Sequence, residues 1–118
     1  HLVHFEAMAS VAEAALNRRA ILKPDCGFRT NVYAYAKRPL RRGDTLDGIG
    51  GYTCYGLIEN CSHDGQEGLP VCLADGVVLK RDVPRDERIS LDDVEFDSQR
   101  ADFQLLRQAV EHASRLRV

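Results

Sequence analysis

One pattern in this chain occurs twice. Lys37-Arg38, Leu40, Gly43-Asp44 and Leu46 return 43 residues later as Lys80-Arg81, Val83, Asp86-Glu87 and Ile89. Each copy follows an apolar run, 32–36 in the first case and 77–79 in the second. Each therefore reads as a strand, a charged tight turn and a second short extended piece. A solenoid would need at least about three copies. Two copies predict a compact, mainly β module with pseudo-twofold symmetry and helices flanking it.

The chain has 118 residues, enough for one domain with its own core. Its charged fraction of 29% against 44% hydrophobic residues excludes a disordered tail. The net charge of −2 gives no reason to expect nucleic acid or an acidic membrane as partner. No apolar run approaches the ~18–20 residues of a membrane span. The chain starts at His1 rather than Met, and residues 1–19 lack a basic stretch followed by an apolar block. It is expected to be a cytoplasmic piece of a longer protein, without a signal peptide. Cys26, Cys54, Cys61 and Cys72 form no C-x-x-C pair, so reduced thiols are expected rather than a disulfide framework.

Residues 1–19 carry Leu2, Phe5, Ala9, Ala12 and Leu16 at steps of three and four, the period of a helix with a narrow apolar face. Lys23-Pro24-Asp25-Cys26-Gly27 breaks it. This sets a boundary: 1–27 as a helix and linker shared with a parent catalytic domain, 28–97 as the β module, 98–118 as a closing helix. Within the module, 31–36 alternates as a half-buried strand, and Pro39 keeps it at an edge or ends it. Gly48, Gly50 and Gly51 allow a bend or a close backbone approach before a second strand at 52–58. Residues 59–69 read as a polar surface loop. Ala74-Asp75-Gly76 reads as a turn before a third strand at 77–79. Ser90 is placed to cap a short turn at Asp92-Asp93. Asp97 or Ser98 is placed to cap the last helix, whose stripe is Phe103, Leu106, Val110 and Ala113.

The segment Val32-Tyr-Ala-Tyr-Ala-Lys-Arg-Pro-Leu-Arg-Arg-Gly-Asp-Thr-Leu resembles the opening signature of SAF (antifreeze-like) domains. That resemblance implies a β-clip fold. His1-Leu2-Val3, Ala36-Lys37-Arg38-Pro39-Leu40, Leu46-Asp47-Gly48-Ile49-Gly50-Gly51-Tyr52-Thr53, Gly68-Leu69-Pro70, Leu73-Ala74-Asp75-Gly76 and Leu79-Lys80-Arg81-Asp82-Val83 are similar to a narrower group. This is the C-terminal region of homoserine dehydrogenase-like oxidoreductases. It implies a parent that uses NAD(P), with the nucleotide loop and catalytic groups upstream of these residues. It also implies an accessory role here, at the substrate site or at a homo-oligomer interface, with no cofactor bound by this piece. The substrate-facing candidates are Lys37, Arg38, Asp47, Tyr52, Lys80, Arg81 and Asp82, facing a small anionic or sugar-like molecule. The different reading is a free-standing binder of sugar acids, as in sialic acid synthases.

Other motifs are weaker. Gly48-Ile49-Gly50-Gly51 does not complete G-x-G-x-x-G, since Thr53 takes the last place, and no helix is expected after it. The basic residues of both turns could grip a carboxylate. They are interleaved with Asp44, Asp47, Asp82, Asp86 and Glu87, which predicts a mutually screened face. Cys54, Cys61 and His63 lack the second ligand pair of a zinc site. Ser62-His63-Asp64 is consecutive, unlike a triad assembled in space. No catalytic or metal residue is therefore assigned.

Overall fold

The computed structural model describes residues 3–22, 29–61 and 67–115. It is a mixed α/β arrangement of two helices and two small antiparallel sheets. Helix α1 is Val3–Asn17; strands β1 and β2 are Thr30–Ala36 and Cys54–Asn60. A 3₁₀ turn at Val71–Leu73 precedes β3, Val78–Leu79; a second at Leu91–Asp93 precedes β4, Val94–Glu95; helix α2 is Ala101–Arg115. β1 pairs with β2 from Thr30↔Asn60 to Ala36↔Cys54, and β3 pairs with β4.

The centre of the module is the repeat itself. Leu40 and Val83 exchange both backbone hydrogen bonds, at 2.8 and 3.0 Å. On either side the bonds come in matched pairs. Gly43 N–H donates to Leu79 O at 2.8 Å, and Asp86 N–H donates to Ala36 O at 2.8 Å. Leu46 N–H reaches Val77 O and Ile89 N–H reaches Ala34 O, both at 2.9 Å. The turns match as well, with Asp44 N–H on Arg41 O and Glu87 N–H on Pro84 O. Every residue in these pairs keeps the 43-residue offset seen in the sequence.

The core repeats with the backbone. Ala34 and Val77, Ala36 and Leu79, Leu40 and Val83, and Leu46 and Ile89 are all buried. The alternation of each copy aims one apolar set inward, and antiparallel pairing about Leu40 and Val83 faces the two sets together. Leu69, Leu73, Ala74, Val94, Cys54 and Phe103 complete the cluster.

The chain departs from the expected boundaries at several points. α1 stops at Asn17 rather than Arg19, because Arg18 takes a left-handed conformation at φ 49°. The second strand starts at Cys54, two residues late, and runs on to Asn60 in what was expected to be loop. The amides of Tyr52 and Thr53, expected to open it, turn to the Asp47 carboxylate instead. Neither Asp97 nor Ser98 caps α2. The Asp97 carboxylate accepts from Gln99 N–H at 2.8 Å in a turn before the helix, and Arg100 carbonyl accepts the first helical bond, from Gln104. The other expected cap is present: Ser90 and Asp93 form a reciprocal capping box, in which the Asp93 carboxylate accepts from Ser90 N–H at 2.9 Å and the Ser90 side chain accepts from Asp93 N–H.

α2 packs through Phe103, which stacks on Phe96 with centroids 4.0 Å apart. α1 buries none of its side chains; Phe5, Met8 and Val11 are all more than half exposed. No described helix is long and apolar enough to cross a membrane.

Candidate functional site

The residues singled out in the sequence fall into two clusters. Lys37, Asp47 and Tyr52 belong to the first, around the glycine-rich bend. Asp47 ends the first repeat unit, so its carboxylate projects into the bend that follows. It accepts from Tyr52 N–H at 2.6 Å and Thr53 N–H at 3.0 Å, and from the Thr53 hydroxyl. The Thr53 oxygen in turn accepts from Asp47 N–H at 3.0 Å. The Thr53 hydroxyl, then the two backbone donors, hold the Asp47 carboxyl down at about 2. A carboxylate that is ionised at all ordinary pH values thus ties residues 47 to 53 into a closed loop.

Glycine is required at the centre of this knot. A Cβ on Gly51 would lie 2.2 Å from the Asp47 carboxylate. Gly48 has φ +69°, and its added Cβ would meet the Asp75 side chain at 2.9 Å. Lys37 Nζ donates to the Gly51 carbonyl. The result is a fixed projection bearing Ile49, 72% exposed, and Tyr52, 85% exposed. The loop leads into strand β2 rather than into a helix. It offers no helix N-terminus for a pyrophosphate, so these residues do not fit a dinucleotide.

Lys80, Arg81 and Asp82 belong to the second cluster, beside the Leu91–Asp93 turn. Arg81 forks onto Asp93 at 2.5 and 2.9 Å and also meets Glu87 at 2.8 Å. These hydrogen bonds, Asp93 first, raise the guanidinium further above its usual value. Burial pushes the Asp93 carboxyl up, but Arg81 and Ser90 together pull it below the carboxylate range. Lys80 Nζ donates to Asp92 O at 3.2 Å, and Asp82 carboxylate accepts from Arg42 N–H at 2.8 Å. Arg81, Glu87, Arg88, Ser90, Asp92 and Asp93 line a polar depression of about 360 Å³. Arg38 Nη1 lies 3.4 Å from the carbonyl of neighbouring Pro39.

The structure does not bring the two basic pairs together. Lys37 and Lys80 each sit three residues before the Leu40–Val83 centre, on antiparallel segments. They are held by different partners, Lys37 by the Gly51 carbonyl and Lys80 by the Asp92 carbonyl.

Two groups escaped the sequence reading. Thr53 is the partner that shapes Asp47; its place six residues on, across a glycine-rich bend, was the available signal. The other group lies on the outer face of the β1–β2 sheet. The Tyr35 hydroxyl donates to Glu59, and Arg88 meets Glu59 at 3.2 Å and lies 5.8 Å from the centroid of the Tyr33 ring. The Tyr55 hydroxyl donates to Asp86 at 3.1 Å. Burial, then Cys61, pushes the Tyr33 phenol up. The i, i+2 spacing of Tyr33 and Tyr35 hinted at a shared edge, but Glu59 and Arg88 are paired only by the fold.

Cys54, Cys61 and Cys72 are free thiols, and burial pushes the Cys54 thiol up, away from reactivity. Cys26 and Ser62-His63-Asp64 lie outside the described residues. Among the described residues no three His, Cys, Asp or Glu side chains gather as a metal site. A scan against protein-family models and a search of curated proteins find no match to this chain.

Proposed function

We infer that the chain is a SAF-like β-clip accessory domain of a homoserine dehydrogenase-like, NAD(P)-dependent oxidoreductase. Its part is to present a rigid loop at the substrate site of the parent enzyme, without performing redox chemistry. The observation that carries this reading is the Asp47-held loop. Three accepted hydrogen bonds and two sterically required glycines fix a backbone whose tip shows an aliphatic and an aromatic side chain to solvent. Such a display has no role in the domain's own core and suits a wall for a ligand held elsewhere. The matched hydrogen bonds about Leu40 and Val83 support the β-clip part of the reading. Arg81 is already saturated by Asp93 and Glu87, which disfavours the stand-alone sugar-acid binder.

NAD(P) would be held by the upstream part of the parent, since no group here fits it. The test has two arms. The 118-residue chain alone, given NADH or NADPH and hydroxy acids, should leave the nicotinamide absorbance unchanged. The DNA preceding His1 should encode a strand, G-x-G-x-x-G and a helix, the dinucleotide fingerprint. Turnover by the chain alone, or an upstream region without that fingerprint, overturns the assignment.

A further inference from the structure

Both repeat units carry the same arginine, and only one of the two is neutralised. Arg38 and Arg81 are equivalent at the 43-residue offset. Each lays Nη1 on the carbonyl of the next residue, Arg38 on Pro39 at 3.4 Å and Arg81 on Asp82 at 3.0 Å. The two guanidiniums are thus posed alike. In Arg81 the remaining edge, Nε and Nη2, forks onto Asp93 at 2.5 and 2.9 Å.

In the first unit Thr53 stands where Asp93 stands in the second. Lys37 N–H donates to Thr53 O at 2.9 Å, as Lys80 N–H donates to Asp93 O at 2.7 Å. Ala36 pairs with Cys54 as Leu79 pairs with Val94. Both loops are closed by the same reciprocal bonds. Ser90 N–H donates to the Asp93 carboxylate and Asp93 N–H to the Ser90 side chain. Asp47 N–H donates to the Thr53 hydroxyl oxygen and Thr53 N–H to the Asp47 carboxylate. The residue types are exchanged: hydroxyl then carboxylate in the second unit, carboxylate then hydroxyl in the first.

That exchange takes the carboxylate away from Arg38. The second acid on Arg81, Glu87 at 2.8 Å, corresponds to Asp44, whose carboxylate accepts from Arg41 N–H at 3.0 Å instead. Among the described residues Arg38 meets no carboxylate. Residues 37–53 hold four cations, Lys37, Arg38, Arg41 and Arg42, against Asp44 and Asp47, and both of these acids are bonded to backbone amides. Arg38 is exposed, so a ligand reaches it from solvent.

We propose that the Nε–Nη2 edge of Arg38 binds the carboxylate of a small organic acid, in the fork that Asp93 makes with Arg81. The second unit names the ligand class, because there the same frame holds a carboxylate at this place. Tyr52 corresponds to Asp92, which lines the depression at Arg81, so an uncharged and exposed side chain replaces an acid beside the open fork. The site rests on the comparison of the two units and not on the oxidoreductase reading.

Nuclear magnetic resonance of the arginine Nε–H signals in the 118-residue chain tests it. Sodium lactate is titrated in against sodium chloride at fixed ionic strength. The Arg38 signal should move saturably, with a Kd on the order of 10 mM, while the Arg81 signal stays still. Arg38→Lys keeps the charge without the fork and should weaken binding about tenfold. Arg38→Gln should abolish it at an unchanged thermal midpoint. Asp47→Ser combined with Thr53→Asp rebuilds the second unit's arrangement in the first; it should fill Arg38 from within and remove the lactate shift. A signal that does not saturate by about 100 mM overturns the proposal, as does undiminished binding by any of these variants or tighter binding of phosphate than of lactate. If the double variant does not fold, Arg38→Gln decides alone. A failure here leaves the oxidoreductase reading to its own tests, turnover and the upstream fingerprint.

Discussion

Leu40 and Val83 are 43 residues apart in sequence, yet each donates its amide to the other's carbonyl, at 2.8 and 3.0 Å. No other pair of repeat-equivalent residues bonds to itself in this way among the described residues. They mark the pseudo-twofold centre, and both are at most 2% exposed. The module is therefore most sensitive there. Leu40→Ala should cost about 2–5 kcal/mol in urea unfolding. Combining it with Val83→Ala should give a non-additive total, with a coupling of about 0.5–3 kcal/mol in the double-mutant cycle.

Gly43 and Asp86 are equivalent in the two turns, and both have positive φ, 89° and 63°. Nothing lies within 4 Å of a Cβ built on Gly43, so only backbone strain opposes a side chain there. Gly43→Ala should cost about 1–2 kcal/mol. Asp86→Gly relieves the same strain but frees the unfolded chain and loses the bond from Tyr55. It should stay within about 1 kcal/mol of wild type. Thermal melts of the two variants would show the asymmetry.

The pH dependence of the loop follows from Asp47. Its carboxyl is held well below the ordinary carboxylate range, at about 2, first by the Thr53 hydroxyl and then by the Tyr52 and Thr53 amides. The stability it lends is fully present above about pH 4 and is lost as pH falls toward 2. Asp47→Asn should lower stability at neutral pH and flatten the acid limb between those values. Acid titration of the two proteins by circular dichroism would check this.

Arg81 and Asp93 test geometry against charge. Arg81→Lys keeps the charge and removes the fork. With 45% of the Arg81 side chain exposed, solvent screens the pair, and the loss should be about 1 kcal/mol. The difference between variant and wild type should shrink in high salt, measured by denaturant unfolding.

Much of the architecture was readable because it depends on residue types at fixed spacing. The doubled turn needed only its charged and small residues to be visible. The stripe of Phe103, Leu106 and Val110 needed only the helical period, and with Leu91 and Phe96 it now lines a groove of about 240 Å³. What depended on distant partners was not readable. Asp47 appeared as one of several interleaved charges until the fold placed Thr53 and Tyr52 around it. Arg81 looked like half of a ligand grip until Asp93 and Glu87 closed on it. The late start of β2 has the same origin, since the Tyr52 and Thr53 amides are taken by the Asp47 side chain. Asp97 had the right identity for a cap, but local bonding to Gln99 diverted it.

The matched hydrogen bonds also govern how the domain comes apart. Ala34 and Ala36 find their outer partners only in the 86–89 segment and at Leu69, while Leu79 finds its partners at Gly43 and Asp44. Neither copy contains the groups that would quench its own polar backbone, so a chain severed near its midpoint yields two pieces that stay unfolded alone and regain shape only when mixed. The two copies must melt together, and a split version of this domain would report the proximity of whatever its halves are fused to.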